Sequence, residues 1–226
     1  MFSVPQGSVL GPLLFLLYVA EVAEVLAAHG FKGHSYADDT QMHINVPAAD
    51  AVDAALCLSD CIVSIESWMS SHCLKMNPRQ DSATVDRNIV TVNEVALSTG
   101  PLGFSTVVSN LGVHFDEQLS MADHITVVCK SCFFQLRQLH LIRSYLTMDS
   151  AKTLVHAFIS VRLDYCNSLL VGAADCIIQK LQAVQNAAAQ LINGTRKFDH
   201  ITPILWDLHW LPVHQQIKYK IAMLLN

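Results

Sequence analysis

Two adjacent carboxylates, Asp38 and Asp39, stand where the chain must reverse between two strand-like segments, and no other stretch constrains the fold as tightly. Before them Gly33-His34-Ser35-Tyr36-Ala37 can extend. After them, Thr40 to Val46 sets Met42, Ile44 and Val46 on one face by alternation. The pattern predicts a hairpin with an acidic tip. Asp is a favoured turn residue because its side chain bonds to nearby backbone, so turn chemistry alone would explain the pair. The surrounding residues decide whether it does more.

Of the 226 residues, 52% are hydrophobic, enough for one domain or two small ones with a sizeable core. The formal charge is -5, with 14 Lys and Arg against 19 Asp and Glu. That balance argues against a free-standing nucleic-acid binder, whose non-specific affinity rests on phosphate neutralisation, and leaves room for local basic faces. Seven Cys form an odd set with no framework, which fits reduced thiols inside a cell, in nucleus or cytoplasm, and not a secreted scaffold. Cys129-Lys130-Ser131-Cys132 is a lone CxxC at helical spacing, expected to be two small core residues and not half of a zinc site. The apolar run Leu13 to Ala20 lacks a basic leader, and Pro5 and Pro12 interrupt its approach, so it does not read as a signal peptide. Glu21 and Glu24 arrive before the roughly 20 apolar residues of a membrane span. It reads as a buried helix, with no membrane partner.

Helical spacing recurs along the chain. Pro12 is placed to open a helix that runs to about His29, with Gly30 as its stop and Leu13, Leu16, Leu17, Ala20 and Val25 facing inward. A second helix runs from Ala51 to about Met69 on Val52, Ala55, Leu58, Ile62 and Ile65. Residues 81 to 108 carry only short β-like runs such as Ile89-Val90-Thr91-Val92. Helical patterning then dominates: Met121 to Tyr145 on Ile125, Cys129, Cys132, Leu136 and Leu139; a helix capped near Asp149 or Ser150 with Leu154, Phe158 and Val161; and Asp175 to Asn193, stopped by Gly194. A last helix from Pro212 is expected to carry Ile217, Ile221 and Leu224 inward. The mixed pattern gives way to the helical one between about Thr106 and Ser120, which suggests two parts, 1–108 and 109–226.

Ordered motifs accompany this pattern. Ser3-Val4-Pro5-Gln6-Gly7-Ser8-Val9-Leu10-Gly11-Pro12 precedes the first helix, and Tyr36-Ala37-Asp38-Asp39 forms the tip. Trp68 with Leu74-Lys75-Met76-Asn77-Pro78, then Leu111-Gly112-Val113-His114-Phe115-Asp116, then Asp164 to Leu170 and Leu208 to Val213 follow in turn. Together they resemble the reverse transcriptases of non-long-terminal-repeat retrotransposons, the jockey-like group in particular. The resemblance implies an α+β fold: a partial palm, with a hairpin packed by helices, followed by an all-α thumb bundle.

It also implies roles. Asp38 and Asp39 become catalytic residues and ligands for Mg²⁺ or Mn²⁺, while Pro5, Gln6, Gly7 and Tyr36 line the nucleotide pocket. The partners become an RNA template, a DNA primer and deoxynucleotide triphosphates. Lys130, Arg137, Arg143, Arg196 and Lys197 could meet the nucleic-acid backbone, although a solvated polar face explains them equally well. Asp116 reads as a turn or cap residue and not a metal ligand.

Two departures qualify the resemblance. The family pattern sets a Lys where this chain has Gln80, and it takes a third carboxylate from a strand preceding the Pro-Gln-Gly loop, where this sequence has only Met1 and Phe2. The chain by itself is therefore expected to fall short of polymerisation. A non-enzymatic relic or helical interaction module is the alternative.

Overall fold

The computed structural model describes residues 7–37, 39–74, 94–97, 100–103, 105–195 and 199–225, with backbone alone for 94–97 and 100–103. Among these residues the fold is α+β and mostly helical, with three two-stranded antiparallel sheets. Two compact units part between Thr106 and Val107.

In the first unit, helix α1 (Gly11–Ala28) has Pro12 in its opening turn, where a missing N–H costs nothing. Its end is set by Gly30, whose φ of +78° suits a residue without Cβ. The Gly30 N–H donates to Ala27 O at 3.0 Å and the Phe31 N–H to Leu26 O at 3.0 Å, closing the last turn and turning Phe31 back against Leu26. Strand β1 (Lys32–Tyr36) then pairs with β2 (Asp39–His43), from Lys32 opposite His43 to Tyr36 opposite Asp39. The hairpin is shorter than its alternation suggested: Ile44 and Val46 are exposed beyond β2. The reason is local, because Gly30 and Phe31 are used to terminate α1 and leave nothing for those residues to pair with.

Helix α2 (Ala51–Ser71) buries Cys61 and Ile65 against Val22, Leu26 and Phe31. A small hairpin, β3 (Glu94–Leu97) and β4 (Gly100–Gly103), completes the unit. The run from Ile89 to Val92 lies outside the described residues.

The expectation of a buried α1 is corrected. Only Val22 and Leu26 are fully enclosed, while Leu13, Leu14, Leu16, Leu17 and Tyr18 are exposed. Its apolar residues run round the whole cylinder, and α2 and the hairpin cover only one side near its C-terminal half. At 18 residues and a mean hydropathy of 1.7, α1 is also long and apolar enough to cross a membrane by length and composition, a weak criterion that core helices pass too. Glu21 is engaged by α2, as described below.

The second unit opens with β5 (Val107–Asn110) and β6 (Val113–Asp116), joined by Leu111 and Gly112, both at positive φ (+47° and +80°). That is the backbone of a two-residue turn matched to strand twist. Helix α3 (Ala122–Ile142) then buries Ile125, Cys129, Cys132, Leu136 and Leu139 along one stripe. Both cysteines of the CxxC are thus core residues.

Next come α4 (Met148–Val155) and α5 (Val161–Asp164), made continuous by a π turn over His156–Ser160. Thr147 is the cap here, its Oγ1 accepting from Ser150 N at 3.2 Å, in place of Asp149 or Ser150. The buried stripe is Ala151, Val155, Ile159 and Leu163, while Phe158 and Val161 are exposed. Steps of four drift off a 3.6-residue helix, and the wider π turn absorbs the drift; a strict α period sets the wrong face inward.

Helix α6 (Asp175–Asn193) ends at Gly194 (φ +69°) and packs Leu181, Val184 and Ala188 into the same core. A short helix unmarked by periodicity, α7 (Ile201–Asp207), precedes α8 (Val213–Leu224). Val213 and Ile217 are buried, Ile221 half-buried, and Leu224, expected inside, is exposed at the last turn.

Candidate active site at the acidic hairpin

Leu26 settles which face of the hairpin is turned outward. Gly33, opposite Met42, rests on the Leu26 side chain, and Met42 packs against the same cluster. Side chains alternate along a strand, so Lys32, His34 and Tyr36 share the other face with His43, Gln41 and Asp39. All six are exposed. The rings of His34 and His43 stack across the strands with centroids 5.3 Å apart and planes 7° from parallel. The outward face is therefore polar along its length, with Asp39 at the tip beside Tyr36, which is 71% exposed.

The fold brings Tyr36 and Asp39 together as cross-strand partners. Asp38, Pro5 and Gln6 lie outside the described residues. Gly7 stands ahead of α1 at φ +85°, with open space where a Cβ would be; what a side chain would lose there is backbone freedom, not room. A hard divalent cation takes oxygen ligands, one or two of them carboxylates. The exposed Asp39 carboxylate fits that chemistry. No cluster of three His, Cys, Asp or Glu occurs among the described residues.

Behind the hairpin, α1 and α2 are clasped by polar groups that periodicity does not reveal. Trp68 Nε1 donates to Glu21 Oε2 at 3.0 Å, and His72 Nε2 lies 3.7 Å from the same oxygen. The Trp68 and His72 rings stack at 4.2 Å, and the Tyr18 hydroxyl donates to His72 O. Trp68 of the third motif thus joins the two helices that carry the hairpin. Arg79 and Gln80 lie outside the described residues.

In the second unit Asp116 is a turn residue. Its Oδ1 accepts from Gln118 N (3.1 Å) and Ser120 N (2.9 Å), its Oδ2 from Ser120 Oγ (3.0 Å). Burial pushes the carboxyl up, and the hydrogen bonds from Ser120, Gln118 and Ala122 outweigh it, holding it below the ordinary range. Arg143 spends its guanidinium inside the fold: Nε donates to Leu191 O at 2.8 Å, Nη2 to Ile192 O at 2.7 Å and Nη1 to Leu146 O at 3.0 Å. It caps the end of α6. Lys130 and Arg137 are exposed on α3, and Arg196 and Lys197 lie outside the described residues.

The motif Asp164 to Leu170 is a corner. Tyr165 donates its hydroxyl to Leu111 O at 2.6 Å, Lys220 of α8 meets Asp164 at 3.0 Å, and buried Asn167 donates to Asp164 at 3.0 Å. Charge is also unevenly divided. Residues 1–106 hold 4 Lys and Arg against 11 Asp and Glu, whereas 107–226 hold 10 against 8. The whole-chain balance hides a mildly basic second unit, a signal that counting by halves could have found.

Comparison with known proteins agrees with these motifs. The family model described as reverse transcriptase (RNA-dependent DNA polymerase) matches residues 2–115. The chain is 25% identical over 232 residues to the probable RNA-directed DNA polymerase from transposon BS of Drosophila melanogaster, covering 96% of this chain and 25% of that protein. It is 26% identical over 224 residues to the probable RNA-directed DNA polymerase from transposon X-element of the same species, covering 96% of this chain and 24% of that one. To the RNA-directed DNA polymerase from mobile element jockey of Drosophila funebris it is 23% identical over 225 residues, covering 96% and 24%. The chain thus spans about a quarter of the length of these curated relatives. No solved structure matches it significantly.

Proposed function

This chain belongs to the reverse transcriptase family, and on that premise we propose that it is the palm-to-thumb segment of a retrotransposon RNA-directed DNA polymerase. The first unit is the palm portion and the second the thumb. The observation that carries this reading is the outward hairpin face, with Tyr36 paired to Asp39 within the region that the family model covers.

Pro5, Gln6 and Gly7 form one wall of the nucleotide pocket: Gly7 permits close backbone approach, and the Gln6 amide hydrogen-bonds the incoming nucleotide. Tyr36 offers an exposed ring beside the acidic tip. Asp38 and Asp39 hold Mg²⁺ or Mn²⁺, which when bound offsets the negative charge that develops on the transferred phosphoryl group. The substrates are deoxynucleotide triphosphates, with an RNA template and a DNA primer whose backbone meets Lys130, Arg137, Arg196 and Lys197. The chain acts inside the cell, in nucleus or cytoplasm, and its seven free thiols support that assignment.

The family resemblance calls for three carboxylates and the hairpin supplies two, so nucleotide addition requires a third from outside the hairpin. Mg²⁺-dependent primer extension on an RNA template, beside an Asp38→Ala/Asp39→Ala version, tests this. The expected result is extension that depends on both residues when the rest of the polymerase is supplied. Extension that survives the double substitution would remove the hairpin from the mechanism.

A further inference from the structure

His34 and His43 share the outward face of the hairpin, away from its tip. The register sets His34 opposite Gln41 and His43 opposite Lys32, so the two histidines are diagonal neighbours across the strands. Their rings stack with centroids 5.3 Å apart and planes 7° from parallel. We propose that these two imidazoles chelate a divalent transition-metal ion of the zinc kind, at a site separate from the carboxylates of the tip.

The donor atoms select the ion. Imidazole nitrogen suits zinc, copper and nickel, whereas Mg²⁺ takes oxygen ligands. Two Zn–N bonds of about 2.0–2.1 Å at a tetrahedral angle need nitrogens roughly 3.3 Å apart. Stacked rings reach that separation by rotation of their side chains, and nothing on the hairpin resists the rotation. Both residues are exposed, and among the described residues no hydrogen bond or ion pair engages either imidazole. Water fills the remaining positions around the ion, or the Gln41 amide oxygen takes one of them.

The backbone beneath the pair is fixed from the opposite face. Gly33 rests on Leu26, Met42 packs into the same cluster, and Ser35 Oγ lies 3.1 Å from Thr40 Oγ1 across the strands. Donors carried on paired strands keep their spacing better than donors on a loop. Two charged neighbours act in opposite directions. Lys32, beside His43, disfavours a cation, while Asp39, the other diagonal neighbour of His34, favours one. Their effects offset, which leaves nitrogen coordination to decide.

The test is isothermal titration calorimetry of Zn²⁺ into the full chain, with exposed thiols alkylated and excess Mg²⁺ present to occupy oxygen sites. His34→Ala and His43→Ala are each expected to weaken binding by about 10- to 100-fold, with an unchanged circular dichroism spectrum. The double variant should be no worse than either single one, because one remaining imidazole cannot chelate. His214→Ala, exposed on α8, leaves the affinity unchanged. In the parent chain Zn²⁺ should slow hydrogen exchange at the amides of β1 and β2, since the ion ties the two strands together. The proposal is overturned by absence of Zn²⁺ binding that depends on either histidine. Single variants that each keep half the sites at undiminished affinity would overturn it too, as the mark of independent imidazoles. So would binding that survives without the histidines and is lost in Asp38→Ala/Asp39→Ala, which would move the ion to the tip. The readout contains no catalysis, so failure of the polymerase reading would leave it intact.

Discussion

A Cβ added to Gly33 would overlap the Cδ1 of Leu26. This one contact seats the acidic hairpin on helix α1, and it explains a glycine inside a five-residue strand, where glycine otherwise weakens pairing. Leu26 is 2% exposed, so it has little freedom to move aside. Gly33→Ala is expected to destabilise the first unit by about 1–3 kcal/mol, as overpacking does. Hydrogen exchange at the amides of β1 and β2 should rise before exchange in α3 or α6. Unchanged hairpin protection would mean that Leu26 yields without cost.

The sequence leaves Arg143 as either a nucleic-acid contact or part of a solvated face, and its geometry makes a different prediction. Three of its donors reach carbonyls, two of them at the end of α6. Arg143→Ala should cost about 2 kcal/mol in chemical denaturation, the scale of hydrogen bonds to charged groups. Arg143→Lys should recover little, because an ammonium cannot span three carbonyls with a planar fork. Full recovery by Lys would show that charge, not geometry, matters at this position.

What the sequence disclosed, and what it withheld, follows from the range of the interactions involved. The pairing of β1 with β2 and the Cys129 to Leu139 stripe are local, and local patterning reveals them. The Arg143 cap joins residues 48 and 49 apart, and Trp68 meets Glu21 from 47 away; no periodicity encodes such pairs. The phase of α4 failed because of a π turn, and the burial of α1 failed because an apolar helix shows no face of its own. The Gln182–Gln185 pair is a further case. Gln182 accepts from Val213 N and donates to Gln185, which donates to Leu211 O, so two glutamines hold the start of α8.

Thiol chemistry should separate the cysteines by environment. Cys61, Cys129 and Cys132 are buried, and burial pushes the Cys132 thiol to about 11, while Cys73 and Cys176 are exposed. A thiolate-selective reagent at neutral pH is expected to label Cys73 and Cys176 first and to reach the CxxC pair only on unfolding. Rapid labelling of Cys129 and Cys132 in the folded chain would contradict the α3 core.

Acid should act on the second unit in two stages with distinct causes. His124 is buried, its Nδ1 accepts from His114 N at 3.4 Å, and its pKa is lowered by burial and then by the neighbouring His114. The unfolded chain therefore binds a proton that the folded chain refuses, and stability falls as pH drops below the ordinary histidine value of about 6.5. His124→Asn keeps an acceptor near Nδ1 without titrating, and should flatten that first decline. Asp116 acts lower. Its carboxyl is held below the usual range by net hydrogen bonding, so its contribution is present above about pH 3.9 and is lost as pH falls through the folded value. Asp116→Asn should remove the second decline and lower stability at neutral pH, because an amide cannot accept at both oxygens. Thermal unfolding midpoints of the three chains between about pH 7 and pH 3 decide the matter. A single decline, unaltered by His124→Asn, would show that His124 is solvated and titrates normally.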